Sequence, residues 1–432
     1  MNKLSYNQAV EWLDSLQELR IKPGLERIKF LLEHLDHPEK NFQIIHVGGT
    51  NGKGSVCRYL SSILVKEGYT VGLFTSPHLM IIKERFIINE TMISEDEFAY
   101  LISRLKDIVD HQGLEMDRPT YFELCTALMF LYCDRQKVDY AIIEVGLGGR
   151  YDATNIIEPI LSIITNVSFD HMDILGETIQ QIALEKAGII KDCVPLITAA
   201  EGKALTVIEK VVKDHHSTLV FVSDSKSIII EQTLDYQLIR IEGMLDEYTL
   251  KTHEIGSYQR KNLALAMYAV EQLQMMGLFI SPGSITQGVD LMYHQGRMKV
   301  IHNNPTVIID GAHNPSGIHE LKTTVRSLFP KKNIILIFGV LNNKDIKEMI
   351  KEIHSICQMM IITIPSNDRA ADPKMVKNIA ASFISEEQIL VTRKISDAIN
   401  HGLDMVKKDD VLLITGSLFL IGEIITYFDR NK

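Results

Sequence analysis

The sequence has few of the features that mark secreted, membrane or nucleic-acid-binding proteins. Its five cysteines are scattered, and none forms a C-x-x-C pair. This argues against a disulfide framework and favours a reducing cytoplasm. No apolar run reaches membrane-spanning length and no signal-peptide h-region is present near the N-terminus, so we expect no membrane partner. The net charge is −10 and no basic run occurs, so we do not expect nucleic acid as a partner either.

A glycine-rich segment between a strand and a helix organises the chain. Residues 42–47 form an apolar strand pattern, 48–55 are rich in glycine, and the apolar residues that follow recur at helical spacing. This is the context of a phosphate-binding P-loop, whose backbone N–H groups and helix N-terminus face an anion. Lys53 is expected to reach the outer phosphates of ATP, and Ser55 to reach Mg²⁺. The spacing departs from the usual P-loop because Gly54 separates these two residues, so a glycine-rich loop without a ligand is the alternative.

The rest of the pattern indicates an α/β protein. Further buried-type strands are predicted after the P-loop helix, at 70–74, 140–144 and 160–165. After a boundary near 294–298, strands alternate regularly with helices, which is typical of a Rossmann-like domain. The composition, with 46% hydrophobic and 23% charged residues over 432 positions, allows more than one core. We predict a P-loop ATPase domain with a mostly parallel sheet over 1–296 and a smaller Rossmann-like α/β domain over 297–432.

Polar residues follow several predicted strands, at the sheet edge where α/β proteins bind ligands. Ser76 follows the strand at 70–74 and could ligate a metal, although serine is equally common in turns. Glu144 ends an apolar strand, where P-loop proteins place a carboxylate for Mg²⁺; the alternative is a surface acid. His171 lies in the loop after the next strand, where it could ligate a divalent metal or be structural.

Lys186 lies on the apolar face of a helix predicted over 178–190. A lysine on a buried stripe is unusual, and burial lowers the pKa of its amine. The neutral amine could act as a base or react with CO₂ to give a carbamate, which would be an anionic metal ligand. The alternative is that the side chain snorkels to water.

Three more residues occupy positions that suit a nucleotide. Asn262 is a polar residue within the helix predicted over 257–276, and it could contact a base or hydrogen-bond a loop. Arg297 at the domain boundary suits a phosphate clamp or a salt bridge between domains. Asp310 ends the first strand predicted in the C-terminal domain and precedes a glycine, which marks a ligand site at the strand end. Residues 194–256 show strand-like runs and little chemistry.

Seven motifs occur in one order along nearly the whole chain. They are GTNGKGS (49–55), TSPH (75–78), EVGLGGR (144–150), DATN (152–155), DH (170–171), EKAG (185–188) and DGAHN (310–314). Together they resemble the folylpolyglutamate synthase/dihydrofolate synthase family, the folate branch of the Mur ligase superfamily. The resemblance implies ATP-dependent amide ligation, in which the carboxylate of dihydropteroate or a reduced folate becomes an acyl phosphate. The amine of L-glutamate then displaces the phosphate.

The resemblance also implies the cofactors and the site residues. ATP is expected on Asn51, Gly52, Lys53, Gly54, Ser55, Asn262, Arg297 and Asp310. Mg²⁺ is expected on Ser76 and Glu144 at one site and on His171 at another, with Lys186 as the carbamylated lysine. The catalytic set is Lys53, His171 and Lys186. The acid substrate is expected against Gly24, Leu25, Glu26, Arg27, Thr120, Tyr121, Phe122, Glu123, Tyr151, Asp152 and Ala153. Glu123 also suits helix capping, and His313 lies near the reaction without an assigned step.

Other functions fit parts of the same pattern. A P-loop switch or motor would hydrolyse ATP without glutamate, a kinase would release a phosphorylated small molecule, and a binding module would need no catalytic residues. A cell-wall Mur ligase would need a UDP-binding domain before the P-loop, where this sequence has only a short segment. We expect a cytoplasmic monomer that acts on small molecules.

Overall fold

The computed structural model describes residues 3–16, 24–111 and 118–430. The strands are β1 (Gln43–Gly48), β2 (Val71–Phe74), β3 (Phe86–Ile88), β4 (Thr91–Met92), β5 (Tyr140–Glu144), β6 (Leu161–Ile164), β7 (Leu196–Thr198), β8 (Leu219–Phe221), β9 (Ser227–Gln232), β10 (Gln237–Glu242), β11 (Glu247–Thr252), β12 (Lys299–Asn303), β13 (Thr306–Ile309), β14 (Ile334–Phe338), β15 (Cys357–Ile362), β16 (Ile389–Val391) and β17 (Val411–Thr415).

The helices are α1 (Tyr6–Asp14), α2 (Glu26–Glu33), α3 (Lys53–Glu67), α4 (Glu95–His111), α5 (Tyr121–Gln136), α6 (Met172–Leu175), α7 (Ile179–Ala187), α8 (Gly202–Asp214), α9 (Gln259–Met275), α10 (Pro282–Leu291), α11 (Pro315–Leu328), α12 (Ile346–Ile353), α13 (Pro373–Ala380), α14 (Ile395–Met405) and α15 (Leu418–Arg430). In the described ranges, no helix is long and apolar enough to cross a bilayer.

The N-terminal part is built on an eight-stranded sheet of order β4-β3-β2-β5-β1-β6-β7-β8. The strands from β2 to β8 in this order are parallel, and β3 and β4 are antiparallel at one edge. Parallel strands end at a common edge, so the residues that follow β1, β2, β5 and β6 are brought together there. The predicted α/β class and mostly parallel sheet are confirmed.

Helices cover both faces of this sheet because its central strands are apolar on both sides. Along β1, Ile44 packs into a core with α1, α2, α4 and α5, whereas Ile45 and Val47 pack into another core with α3, α9 and α10. This alternation follows the two-residue side-chain period of a strand. A sheet buried on both faces shows continuous apolar runs, which is why β1 and β5 could be predicted from the sequence.

The C-terminal part is a six-stranded sheet of order β12-β13-β17-β14-β15-β16. Only β12, at one edge, is antiparallel to its neighbour. The sheet again separates two cores, with Leu336 and Leu413 in one and Ile337 and Ile414 in the other. This is the predicted Rossmann-like domain, in which strands alternate with helices.

Residues 194–256 hold more structure than the sequence predicted. They contain β7 and β8 of the large sheet, α8, and a separate antiparallel sheet of order β11-β10-β9. The edge strand β12 was also not predicted, and two of its residues are exposed, so its alternating pattern gives little apolar signal. Three buried residues of α8 lie four apart, which is a helical pattern that the strand-like runs around it obscured.

Candidate active site

The glycine-rich loop lies between β1 and α3, as predicted. Gly49 and Gly52 have positive φ angles of 131° and 84°. A Cβ atom on Gly49 would lie 2.0 Å from the Thr165 hydroxyl oxygen, and one on Gly52 would lie 2.2 Å from the Asn262 amide oxygen. The loop therefore needs glycine at both positions, for its backbone conformation and for the close approach of its neighbours.

The end of β6 holds this loop in shape. The Thr50 N–H donates to the Asn166 carbonyl (3.0 Å), and the Asn51 N–H donates to the Asn166 side-chain oxygen (3.0 Å). The Thr165 hydroxyl donates to the Asn51 carbonyl (2.6 Å). Lys53 folds back over the loop, with its Nζ donating to the Thr50 carbonyl (3.2 Å).

A cleft of about 270 Å³ opens beside the loop, between the N-terminal and C-terminal parts of the chain. Six of the eight residues predicted for ATP line it: Asn51, Gly52, Ser55, Asn262, Arg297 and Asp310. Lys53 and Gly54 are not among the lining residues. Arg297 donates to the Gly311 carbonyl at 3.4 Å. Among the residues that the structure describes, it forms no salt bridge with a carboxylate, so it does not link the domains in that way.

Asp310 and Asn262 are fixed in the wall of this cleft by neighbouring groups. The buried Asp310 carboxylate accepts hydrogen bonds from the Tyr258 hydroxyl (2.8 Å) and from the N–H groups of Met298 (2.9 Å) and Ala312 (2.8 Å). Burial raises the pKa of Asp310, and the nearby Arg297 opposes that shift. The Asn262 amide donates to Gln259 (2.8 Å), so both side chains are oriented before any ligand arrives.

Glu144 and Ser76 meet at the carboxyl edge of the large sheet. Glu144 is 4% exposed, which excludes the surface acid considered above. Its Oε2 accepts a hydrogen bond from the Ser76 N–H (2.9 Å). Burial raises the pKa of Glu144, while Lys53 and the Ser76 N–H act to lower it. A carboxylate that is buried with so few donors needs positive charge nearby.

Lys186 is 4% exposed, so its side chain does not snorkel to water. Its Nζ donates to the Gly49 carbonyl (2.9 Å), which places the amine directly beneath the glycine-rich loop. Burial lowers the pKa of Lys186 to about 7, and the neighbouring charge of Lys53 adds to that shift. Near neutral pH a large fraction of this amine is therefore uncharged.

His171 belongs to a polar cluster that joins the N-terminal and C-terminal parts. The Lys344 ammonium lies 2.7 Å from an Asp170 carboxylate oxygen and 3.2 Å from His171 Nε2. Burial raises the pKa of Asp170, but Lys344, His313 and His171 outweigh it and hold that pKa below its usual range. Burial and the charge of Lys344 lower the pKa of His313 to about 3.

Two asparagine side chains connect this cluster to the glycine-rich loop. The amides of Asn51 and Asn314 exchange two hydrogen bonds, of 3.2 Å and 2.9 Å. Asn314 also donates to Asp170 (3.0 Å) and caps α11. The shape of the loop is thus linked directly to the first helix after β13.

The charge of Lys53 acts on three of the predicted metal ligands. It shifts the pKa values of Glu144, His171 and Lys186, so these groups surround one ammonium. Within the ranges that the structure describes, no three His, Cys, Asp or Glu side chains cluster as a complete metal site. Mg²⁺ commonly takes only one or two protein carboxylates and completes its shell with phosphate and water. Glu144 with Ser76 fits such a site.

The residues predicted for the acid substrate lie on α2, on α5 and before a 3₁₀ turn, Ala153–Ile156, and these three elements pack against one another. Arg27 and Glu123 form a buried ion pair, with Arg27 Nε 3.1 Å from both carboxylate oxygens. Glu123 also accepts from the N–H and the hydroxyl of Thr120, in the predicted capping box. Ala153 is buried.

The other members of that set lie near the glycine-rich segment after β5 and at the start of α2. The Phe122 ring packs on Gly146, where a Cβ atom would lie 2.4 Å from it. Asp152 accepts from the Leu147 N–H (2.8 Å), and Tyr151 is 54% exposed. Tyr121 lies under the Arg85 guanidinium, 5.6 Å from ring centre to carbon. Gly24, Leu25 and Glu26 lead into α2, with Leu25 at its N-cap.

Comparison with known proteins identifies the family of this chain. Residues 47–270 match the Mur ligase middle domain, and residues 296–418 match the Mur ligase glutamate ligase domain. The dihydrofolate synthase/folylpolyglutamate synthase of Bacillus subtilis is 36% identical, over 97% of this chain and 98% of its own length. The chain belongs to the folylpolyglutamate synthase/dihydrofolate synthase family.

Other members of this family are similar over the same extent. The folylpolyglutamate synthase of Lacticaseibacillus casei is 30% identical, over 98% of both chains. The structure of the Mycobacterium tuberculosis folylpolyglutamate synthase complexed with ADP superposes with a TM-score of 0.92, at 28% identity and 98% coverage of both chains. The predicted family and fold are confirmed.

Several polar residues of this family member were not predicted for the site. Lys344 forms an ion pair with Asp170, and the Tyr258 hydroxyl donates to Asp310. The His294 ring and the Ser55 hydroxyl share a hydrogen bond of 3.0 Å. Lys344 follows β14 at the carboxyl edge of its sheet, and this position could have indicated it as a site residue. His294 and Tyr258 lie where no strand end or motif marks them.

Proposed function

We propose that this protein is an ATP-dependent ligase that joins the carboxylate of dihydropteroate or a reduced folate to the amine of L-glutamate. The names of its relatives and the ADP complex of one of them support this proposal. The observation that carries it is the arrangement around Lys53, where a buried carboxylate, a histidine and a buried lysine surround the glycine-rich loop. A protein that only binds nucleotide has no use for that set.

The reaction proceeds in two balanced steps. A carboxylate oxygen of the acid attacks the γ-phosphorus of ATP, and ADP leaves with the electrons of the broken P–O bond. The glutamate amine then attacks the carbonyl carbon of the acyl phosphate, a C–N bond forms, and inorganic phosphate leaves as the amine loses a proton. Two anions must meet in the first step, so the site has to supply positive charge.

The 270 Å³ cleft suits ATP. The N–H groups of residues 51–55 at the start of α3 would bind the phosphates, with Lys53 turning from the Thr50 carbonyl towards them. Asn262, Arg297 and Asp310 would contact the nucleotide from the opposite wall, where Tyr258 and Gln259 already orient two of them. The fold that this protein shares with a relative complexed with ADP supports a nucleotide site here.

We further propose Mg²⁺ on Ser76 and Glu144, and a second cation on His171 and a carbamylated Lys186. Glu144 fits because it is buried with one hydrogen-bond donor, and Lys186 fits because its pKa of about 7 leaves a nucleophilic amine. When bound, the cation would neutralise charge on the transferring phosphate. Lys53 adds positive charge on the same side, and His171 is already oriented by Asp170 and Lys344.

The acid substrate would lie against the surface formed by α2, α5 and the 3₁₀ turn. Phe122 and the exposed Tyr151 offer aromatic surface to a flat heterocycle. Thr120, Glu123, Arg27 and Asp152 are engaged in hydrogen bonds within the protein, so they would shape this surface.

Three wider predictions accompany this function. We propose domain limits of 1–296 and 297–432, which the separation of the large sheet from the six-stranded sheet supports. We also propose that the protein is a cytoplasmic monomer. Gel filtration with light scattering, with and without ATP, measures the oligomeric state directly.

Phosphate release from ATP tests the function. The assay contains Mg²⁺ and L-glutamate with dihydropteroate, with tetrahydrofolate, or with neither. We expect release to depend strongly on glutamate and on at least one of the two acids. Equal ATP consumption without an acid and an amine acceptor would show a nucleotide hydrolase instead.

A further inference from the structure

The linker between the N-terminal and C-terminal parts, residues 292–298, contacts the glycine-rich loop through one side chain. It joins α10 to β12 and contains His294. His294 Nδ1 lies 3.0 Å from the hydroxyl oxygen of Ser55, in the first turn of α3 and 239 positions away in the chain. Within the described residues, the Ser55 hydroxyl makes no other hydrogen bond. The linker therefore fixes the direction of a side chain in the loop.

Gly54 allows this approach, and it is also the residue by which the loop departs from the usual P-loop spacing. A Cβ atom on Gly54 would lie 3.1 Å from His294 Cε1 and 3.6 Å from Glu144 Oε2. The first distance is shorter than the usual separation of packed carbon atoms, so a larger residue would push the ring away from Ser55. The glycine lets both the imidazole and the Glu144 carboxylate come close to the first turn of α3.

The position of His294 is also fixed through its backbone. Its N–H donates to the Glu254 carboxylate (3.0 Å), which lies 2.9 Å from Lys299 Nζ. Glu254 is fully buried, and its other oxygen accepts from the Gln259 amide (3.3 Å). This carboxylate holds the linker between its bonds to His294 and Lys299, so the imidazole is in place before any ligand binds.

A serine hydroxyl that ligates Mg²⁺ does so through an oxygen lone pair, and its proton then needs an acceptor on another side. An imidazole nitrogen without a proton is such an acceptor. Burial and the charges of Arg58, Arg297 and Lys299 hold the pKa of His294 well below its usual range, so the ring is neutral near pH 7. One of its two nitrogens is therefore free to accept.

We propose that His294 is a positioning residue whose Nδ1 accepts the Ser55 hydroxyl proton and thereby turns a lone pair of Ser55 towards the Mg²⁺ of the bound nucleotide. Ser55 suits this role because it lines the nucleotide cleft and because Glu144 approaches the same turn of α3. His294 itself lines a separate cavity of about 390 Å³ and not the nucleotide cleft, so it acts through Ser55.

This assignment rests on the proposed nucleotide site, and calorimetric titration of the full-length protein with β,γ-methylene-ATP separates the two. The Kd is measured in Mg²⁺ and in EDTA for the wild type, His294→Leu, His294→Asn and Ser55→Ala. In H294L the Kd in Mg²⁺ should rise about fivefold or more, as expected for one lost hydrogen bond, while the Kd in EDTA stays within about twofold. Asparagine places an amide oxygen near the position of Nδ1, so H294N should keep most of the Mg²⁺-dependent affinity. His401→Leu, at an exposed histidine, is the matched control and should change neither Kd.

The double variant S55A/H294L shows whether His294 acts through Ser55. It should lose no more Mg²⁺-dependent affinity than S55A alone, whereas independent roles would make the two losses multiply. Multiplied losses, or an unchanged Kd in Mg²⁺ for H294L, would overturn the proposal. An equal loss in Mg²⁺ and in EDTA would also overturn it, because His294 would then only support the loop.

The wild type distinguishes failure of the proposed function from failure of this assignment. If it does not bind the analogue, the nucleotide site fails and the role of His294 fails with it. If it binds the analogue equally well in Mg²⁺ and in EDTA, only the role of His294 fails. Should H294L not fold, H294Q replaces it, because the glutamine amide lies nearer the position of Nε2 than that of Nδ1, and the same loss is expected.

Discussion

The charged side chains of this ligase are paired differently on its nucleotide side and on its acid-substrate side. Where α2 packs against α5, Arg27 and Glu123 neutralise each other, and Asp152 is held by backbone donors. Around the glycine-rich loop, Glu144 and Lys53 have one hydrogen bond each and Arg58 has none in the described part of the chain. The charges on the acid-substrate side are therefore held by direct hydrogen bonds, whereas those around the loop act on one another at longer range and keep hydrogen-bonding capacity for a ligand.

Because of this difference, substitutions in the two regions should affect stability and activity differently. A charge that is already paired stabilises the folded state, and removing its partner leaves a buried ion unpaired. A buried charge without a direct partner destabilises the folded protein, so removing it should lower turnover without lowering the free energy of unfolding. The predictions below test whether the two regions really divide in this way, from the largest expected effect to the smallest.

The largest effect is expected for Lys53→Ala. The charge of Lys53 acts on Glu144, His171 and Lys186, and Lys53 is expected to bind the transferring phosphate. Loss of such a group costs about 10²–10³-fold in turnover. Glutamate-dependent phosphate release measures it, and Lys210→Ala at an exposed lysine is the control. Activity of K53A within tenfold of the wild type would contradict the placement of the phosphates.

Glu144→Gln should reduce turnover by about 100-fold or more, because a cation ligand is lost. Its free energy of unfolding should stay equal to that of the wild type or increase, since burial disfavours the ionised carboxylate and glutamine keeps an acceptor for the Ser76 N–H. Urea denaturation monitored by circular dichroism supplies the second measurement. A large loss of stability would mean that Glu144 belongs with the paired charges.

Glu123→Gln provides the opposite case. Glutamine can still accept from Thr120, but the buried ion pair between Arg27 and Glu123 is lost. Breaking a buried pair by removing one partner costs about 3–5 kcal/mol of unfolding free energy. We expect kcat of the remaining folded protein to stay within a few-fold of the wild type. If E123Q were as stable as E144Q, the proposed contrast between the two regions would not hold.

Lys186→Met should change how stability depends on pH. The pKa of Lys186 falls from 10.5 to about 7 on folding, so between these values the unfolded chain binds one proton more than the folded protein. Stability then rises with pH across that window, by at most about 1.4 kcal/mol per pH unit, and the full penalty is present below pH 7. K186M should lose this slope in urea denaturation at pH 7, 8 and 9.

The same variant also tests the carbamate. K186M should fold and lose turnover, and wild-type protein supplied with ¹³C-bicarbonate should show a carbamate carbon signal that K186M lacks. A K186M enzyme that retains turnover would rule out the carbamylated lysine as a metal ligand.

The sequence predicted those parts of the molecule that local pattern determines. Strands β5, β13 and β17 are uninterrupted apolar runs because both of their faces are buried, and the glycines of the loop are set by backbone conformation. Lys186 was visible as a charge on an apolar helix face. In each case the residues that decide the structure are close together in the chain.

The sequence could not show which polar groups that are distant in the chain form hydrogen bonds or ion pairs with each other. Lys344 and Asp170 are 174 positions apart, and Asn51 and Asn314 are 263 apart. No periodicity reports such pairs, because they form only after two sheets have docked. His294 was missed for the same reason, because its partner Ser55 is 239 positions away in the chain.

The two hydrogen bonds between the amides of Asn51 and Asn314 have a consequence for the order of events in turnover. Moving the C-terminal part away from the N-terminal part would have to stretch this amide pair, and with it the glycine-rich loop that we propose for the phosphates. Release of ADP by such an opening would then coincide with relaxation of the loop.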